Sequence, residues 1–107
     1  MEKIIYSPEV EQFLKDLTNL LFEKEYFSYK ETAYEYVSSL LFYVEFNIEF
    51  LLHKPTPIPL QKFGNFFITY KANANTTWYV LFYKDHEKYL ITHIFNNHTK
   101  EAQWFNF

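Results

Sequence analysis

The sequence predicts an α+β domain of order β-α-α-β-β-β, with an antiparallel helical hairpin packed on a small, mostly antiparallel, twisted sheet. Three observations predict it. Apolar residues recur at helical spacing through the first half of the chain, and they alternate with period two in three runs of the second half. Between these regimes lies "KPTPIPL", whose three prolines interrupt any regular helix. At 107 residues, 49% of them hydrophobic and 23% aromatic, the chain suffices for one core, so residues 1–107 are read as a single domain.

Each element has its own signature. Residues 3–6, "KIIY", read as a short strand. Ser7, Pro8 and Glu9 then supply an N-cap, an N1 proline and an acidic first turn. Val10, Phe13, Leu14, Leu17, Leu20 and Leu21 follow on one face, which predicts a helix from Pro8 to Glu23. Ser28 and Glu31 form a capping-box pattern ahead of Ala33, Tyr36, Val37, Leu40, Leu41, Val44, Ile48 and Leu51, which predicts a second helix ending near Leu52. The short connection makes the two helices antiparallel. "KPTPIPL" is expected to be an extended crossover. Strands are expected over Phe66–Lys71, Thr77–Tyr83 and Lys88–Phe95, joined by the tight connections "ANAN" and "KDHE" into a meander.

Composition narrows the function classes. No cysteine occurs, so disulfides and thiolate metal sites are excluded. "LLFYVEFNIEFLL" is interrupted by Glu45 and Glu49 and is too short and too charged to span a bilayer, and the N-terminus has no leader-like apolar run, so a cytoplasmic protein is expected. Residues 1–53 hold four Lys against ten Asp and Glu; residues 54–107 hold six Lys against three. The two halves therefore offer opposite fields to their surroundings, or the split is chance. Every basic residue is Lys, so no guanidinium fork is present to grip a phosphate.

The second helix carries Phe42, Phe46 and Phe50 every fourth residue away from its core stripe, with Tyr43 beside them. This is either a contact surface for a partner chain or a flank that another segment of the same chain covers. The middle strand is apolar on both sides: Trp78, Val80 and Phe82 alternate with Tyr79, Leu81 and Tyr83. One side must cover the helices, with Trp78 as an anchor. The other is Tyr-rich and is either covered by the last residues or open to a partner.

Two long segments, "SPEVEQFLKDLTNLLFEKEYFSYKETAYEYV" and "LQKFGNFFITYKANANTTWYVLFYKDHEKYLITHIFNNHTKEAQWF", together with the order of elements, resemble the RelE/ParE superfamily of type II toxins. Gly64-Asn65-Phe66-Phe67, Thr76-Thr77-Trp78-Tyr79 and Asn96-Asn97-His98 are the short motifs that match. The resemblance implies one of two activities. RelE-like members cleave mRNA, generally on the ribosome, through the RNA's own 2′-hydroxyl. ParE-like members inhibit DNA gyrase without cutting. Both are silenced by a cognate antitoxin that wraps the helices and the sheet, and the Phe42/Phe46/Phe50 stripe suits such wrapping.

Metal-independent cleavage needs a proton carrier and cations on one sheet face. His98 is the candidate acid/base, matching the family's placement of a His or Tyr near the end of the last strand; the other reading is a histidine that closes the strand. Lys62 and Lys71 match basic positions that hold the scissile phosphate, or are simply solvated. Tyr79, Tyr83 and Tyr89 are candidates to stack a base, or pack with a wet tip. By strict alternation His93 shares a face with Tyr89, Ile91 and Phe95, as a second proton carrier or a half-buried side chain. Asn96 and Asn97 are expected to satisfy free backbone groups at the strand's end. No metal or other cofactor is expected. The chain departs from the nuclease branch in being acidic overall and lacking Arg. The expectation is a ribosome-dependent endoribonuclease, with a gyrase inhibitor and a non-toxic interaction domain as alternatives.

Overall fold

The computed structural model describes residues 3–23 and 30–105. Strand β1 (Lys3–Tyr6) leads into helices α1 (Pro8–Glu23) and α2 (Lys30–Asn47). A two-residue strand β2 (Lys54–Pro55) and a 3-10 helix (Ile58–Phe63) follow, then β3 (Phe66–Lys71), β4 (Thr77–Asp85), β5 (Lys88–Asn96) and a C-terminal 3-10 helix (Lys100–Phe105). The five strands form one sheet in the order β1-β5-β4-β3-β2. The β1–β5 pair is parallel, and the others are antiparallel. The α+β class and the helical hairpin on a mostly antiparallel sheet are as the sequence predicts.

Local chemistry fixes the element ends. Ser7 Oγ accepts from the Val10 N–H at 3.2 Å, capping α1 as expected. The proposed cap of α2 at Ser28 lies outside the described residues. Helix α2 stops at Asn47, five residues before the expected Leu52. The Asn47 carbonyl accepts from both Phe50 and Leu51, which tightens the chain into a turn. His53 Nε2 then lies 2.6 Å from the Ile48 carbonyl, a partner for a group the helix end leaves open.

The proline-rich crossover is not wholly extended. Lys54 and Pro55 pair with β3, and Ile58–Phe63 forms the first 3-10 helix with Pro59 in its first turn. A first-turn proline gives up an N–H that has no helical partner, so the short helix tolerates it.

The sheet divides two cores. On one face Val10, Leu14, Val37, Leu40, Val44 and Ile48 of the hairpin pack against Ile68, Trp78, Val80, Phe82, Tyr89 and Ile91. Trp78 anchors this face as expected: its indole N–H donates to the Tyr36 hydroxyl at 3.0 Å, and Phe13 meets it edge-on. On the other face Leu60 of the first 3-10 helix and Ala102 and Phe105 of the second pack on Phe67, Leu81 and Phe95. Of the two possibilities for the Tyr-rich side, coverage by the chain's last segment is the one that holds.

Strand β5 does not alternate regularly. Leu81 pairs with His93 but Phe82 pairs with Ile91, so Thr92 is the extra residue of a bulge. Tyr89 and Ile91 consequently face the helices, whereas His93 and Phe95 face the C-terminal segment. The expected common face for Tyr89, Ile91, His93 and Phe95 is thereby split in two.

Candidate functional site

His98 follows β5 in a turn built by its neighbours. Asn96 Oδ1 accepts from the His98 N–H at 2.9 Å. Asn97 Oδ1 accepts from the Thr77 N–H, and its amide donates to the Asn75 carbonyl. Asn96 thus closes the turn locally and Asn97 ties the end of β5 to the start of β4, both satisfying backbone groups as their residue type suggests. The imidazole is exposed, with Nε2 3.4 Å from Thr76 Oγ1. It borders a groove of about 510 Å³ shared with Leu17, Leu20 and Leu21 of α1 and with Trp78. His98 therefore faces the helix side of the sheet.

The lysines lie elsewhere. Lys71 pairs with Thr77 at the same end of the sheet, but by alternation from Phe67 it leaves on the opposite face. Lys62 sits in the first 3-10 helix, where its carbonyl accepts from the Tyr83 hydroxyl at 2.9 Å and its ammonium rests 5.1 Å from the Phe63 ring centre. Thr76, beside His98, and Tyr83, beside Lys62, are seven residues apart along β4, a span of about 23 Å. His98, Lys62 and Lys71 do not converge on a point where a single phosphodiester would sit.

The aromatic candidates are largely committed to packing. Tyr89 is 3% exposed and faces the helices. Tyr79 lies between Phe95 and Phe105, with ring centres at 5.3 and 4.6 Å. His93 stacks on Phe63 at 4.3 Å. Tyr83 remains partly exposed, held by the Gln61 and Lys62 carbonyls. A base stacking on Tyr79 would first have to displace Phe105 of the C-terminal 3-10 helix.

The α2 stripe is open. Phe42, Phe46 and Phe50 are 62%, 64% and 80% exposed, and no described segment folds back over them. The Phe42 and Phe46 rings stack on each other at 5.0 Å, forming a preformed aromatic plate. Tyr43 joins the plate to the sheet by packing on Tyr70 of β3 at 4.6 Å. Glu35, Ser38 and Ser39 give this shallow surface a polar border. Two stacked, exposed phenyl rings expose apolar area that burial against a partner would remove from water at about 25 cal/mol per Å².

One structural histidine was not signalled by the motifs. His53 packs against Phe66, Phe82 and Tyr89 while facing the Ile48 carbonyl. Its position just beyond an apolar helical stripe is the one available sequence cue. Among the described residues no group of three His, Asp or Glu side chains stands close enough to hold a metal ion. No helix in that range is long and apolar enough to cross a membrane. Compared with known protein families, curated proteins and solved structures, the chain matches none of them significantly.

Proposed function

We propose that this chain is the toxin of a RelE/ParE-like type II toxin–antitoxin system, working in the cytoplasm, and that it acts by gripping a protein instead of cutting RNA. The single observation carrying this reading is the exposed Phe42–Phe46 plate on α2, set on a scaffold whose Tyr-rich sheet face is filled by its own C-terminal segment. Exposed aromatics on a rigid helix supply contact area at low entropic cost, which is what an interface anchor requires. DNA gyrase is the target class that the resemblance offers, and the cognate antitoxin silences the chain by occupying the same plate.

Ribosome-dependent mRNA cleavage is the second reading. The observation favouring it is the exposed His98 imidazole, whose Nε2 lies 3.4 Å from Thr76 Oγ1 while Asn96 holds the His98 backbone N–H. Induced expression separates the two. Under the contact reading, cells arrest with intact mRNA ends and altered plasmid supercoiling, and His98→Ala arrests them equally. Cuts at fixed codon positions that disappear in His98→Ala would reverse the assignment.

A further inference from the structure

A second groove runs along the opposite flank of the hairpin, between α1 and β5. Its volume is about 490 Å³, and its floor is formed by Phe13, Leu17, Leu20 and Trp78 against residues 92–96 of β5. It continues into the cavity that His98 borders, which shares Leu17, Leu20 and Trp78 with it. Leu20 is 47% exposed, unusual for a leucine at a core-spaced position. Strand β1 pairs with β5 only as far as Ile91, so among the described residues no strand flanks β5 beyond that point on this side. Thr92 Oγ1 lies in the groove wall, buried and without a hydrogen-bond partner.

The charge along the outer rim is one-sided. Glu9, Asp16 and Glu23 recur every seven residues of α1, so they fall almost in line along the helix. Glu9 borders the groove itself, and Asp16 and Glu23 border its extension over Phe13, Leu17 and Leu20. Among the described residues no lysine forms an ion pair with any of the three. Successive carboxylates are spaced by about 10.5 Å, and the rail is about 21 Å long.

We infer that this groove docks a basic amphipathic helix of a partner protein. Such a helix lays a leucine-type stripe on Phe13, Leu17, Leu20 and Trp78. Lys or Arg residues at seven-residue intervals on its edge match the spacing of Glu9, Asp16 and Glu23. Four helical turns span the rail. This interface lies on α1, apart from the α2 plate, so either can fail without the other.

The test uses the purified full chain and a fluorescein-labelled Leu/Lys amphipathic peptide of about four turns, with the same peptide carrying Glu for Lys as its control. Fluorescence anisotropy should report binding of the basic peptide only. Substituting Glu9→Gln, Asp16→Asn and Glu23→Gln together should weaken it about tenfold or more. Leu20→Lys should weaken it at least as much, whereas Glu11→Gln with Glu35→Gln and Glu49→Gln, which removes three charges elsewhere, should leave it within about twofold. Equal binding by both peptides, equal loss in the two charge variants, or loss in Phe42→Ser/Phe46→Ser instead would overturn the inference. So would a dimer in sedimentation that Leu20→Lys dissolves, because the occupant would then be a second copy.

Discussion

Gly64 holds φ at +151°, and a Cβ built there would lie 2.6 Å from the Phe82 nitrogen. Both the backbone region and the space demand glycine, since the obstacle is main chain and cannot swing aside. Gly64→Ala should therefore destabilise the protein by about 3 kcal/mol in urea unfolding. Trp78 joins packing to polarity, being buried in the helix-side core and donating to Tyr36. Trp78→Phe should cost about 2 kcal/mol, combining a lost hydrogen bond with a small void. Tyr6 donates to Glu45 Oε1 at 3.2 Å, and burial, followed by the Glu45 charge and this bond, pushes its phenol well above the ordinary range. Below about pH 10 the phenol is neutral in both states and its contribution is intact. At higher pH the unfolded chain ionises first, so that contribution is lost as pH rises towards the folded value. The urea midpoint should fall more steeply above about pH 10 in the wild type than in Tyr6→Phe, a difference read by unfolding both proteins across that range.

The C-terminal 3-10 helix has no regular counterpart in the periodic pattern, yet it fills one face of the sheet. Phe105 meets Phe67, Tyr79 and Phe95, with its ring centre 4.6 to 5.7 Å from theirs. Phe105→Ala should cost about 3 kcal/mol and expose Tyr79 and Phe95. Increased binding of an apolar dye, with helix content by circular dichroism unchanged, would register that local loss; an unaltered dye signal would mean the segment is dispensable. Both helices and four of the five strands were legible from helically spaced stripes, capping residues and β-rich runs bounded by turns, whereas β2 is a two-residue pairing inside the proline-rich crossover. His93 was misplaced because a bulge at Thr92 leaves no mark in residue type, and one extra residue reverses every later side chain. The first 3-10 helix was missed because prolines at Pro55, Pro57 and Pro59 signal broken α-helix without revealing a shorter turn that accepts them. The candidate site was legible residue by residue but not in its geometry. Whether His98 and Lys71 share a face depends on where the chain turns after β5, which no spacing rule supplies.

Taken as one molecule, the protein is a sheet dressed on both sides: a helical hairpin on one, two 3-10 helices on the other. Two open surfaces lie on the flanks of the hairpin, the aromatic plate on α2 and the acid-rimmed groove on α1. The acidic half of the sequence supplies both helices, and the lysine-rich half supplies the meander, whose cations are dispersed over its two ends and faces. Dispersed lysines bind a phosphate weakly and lose it to salt. The proposed activity is therefore one of contact, and Phe42→Ser/Phe46→Ser probes it most directly. Both side chains are exposed, so the double variant should keep the wild-type circular dichroism spectrum and melt within a few degrees of it. When induced in cells, it should no longer arrest growth, while His98→Ala still does. Full arrest by the folded double variant, together with loss of arrest in His98→Ala, would contradict a contact mechanism and place the activity at the imidazole.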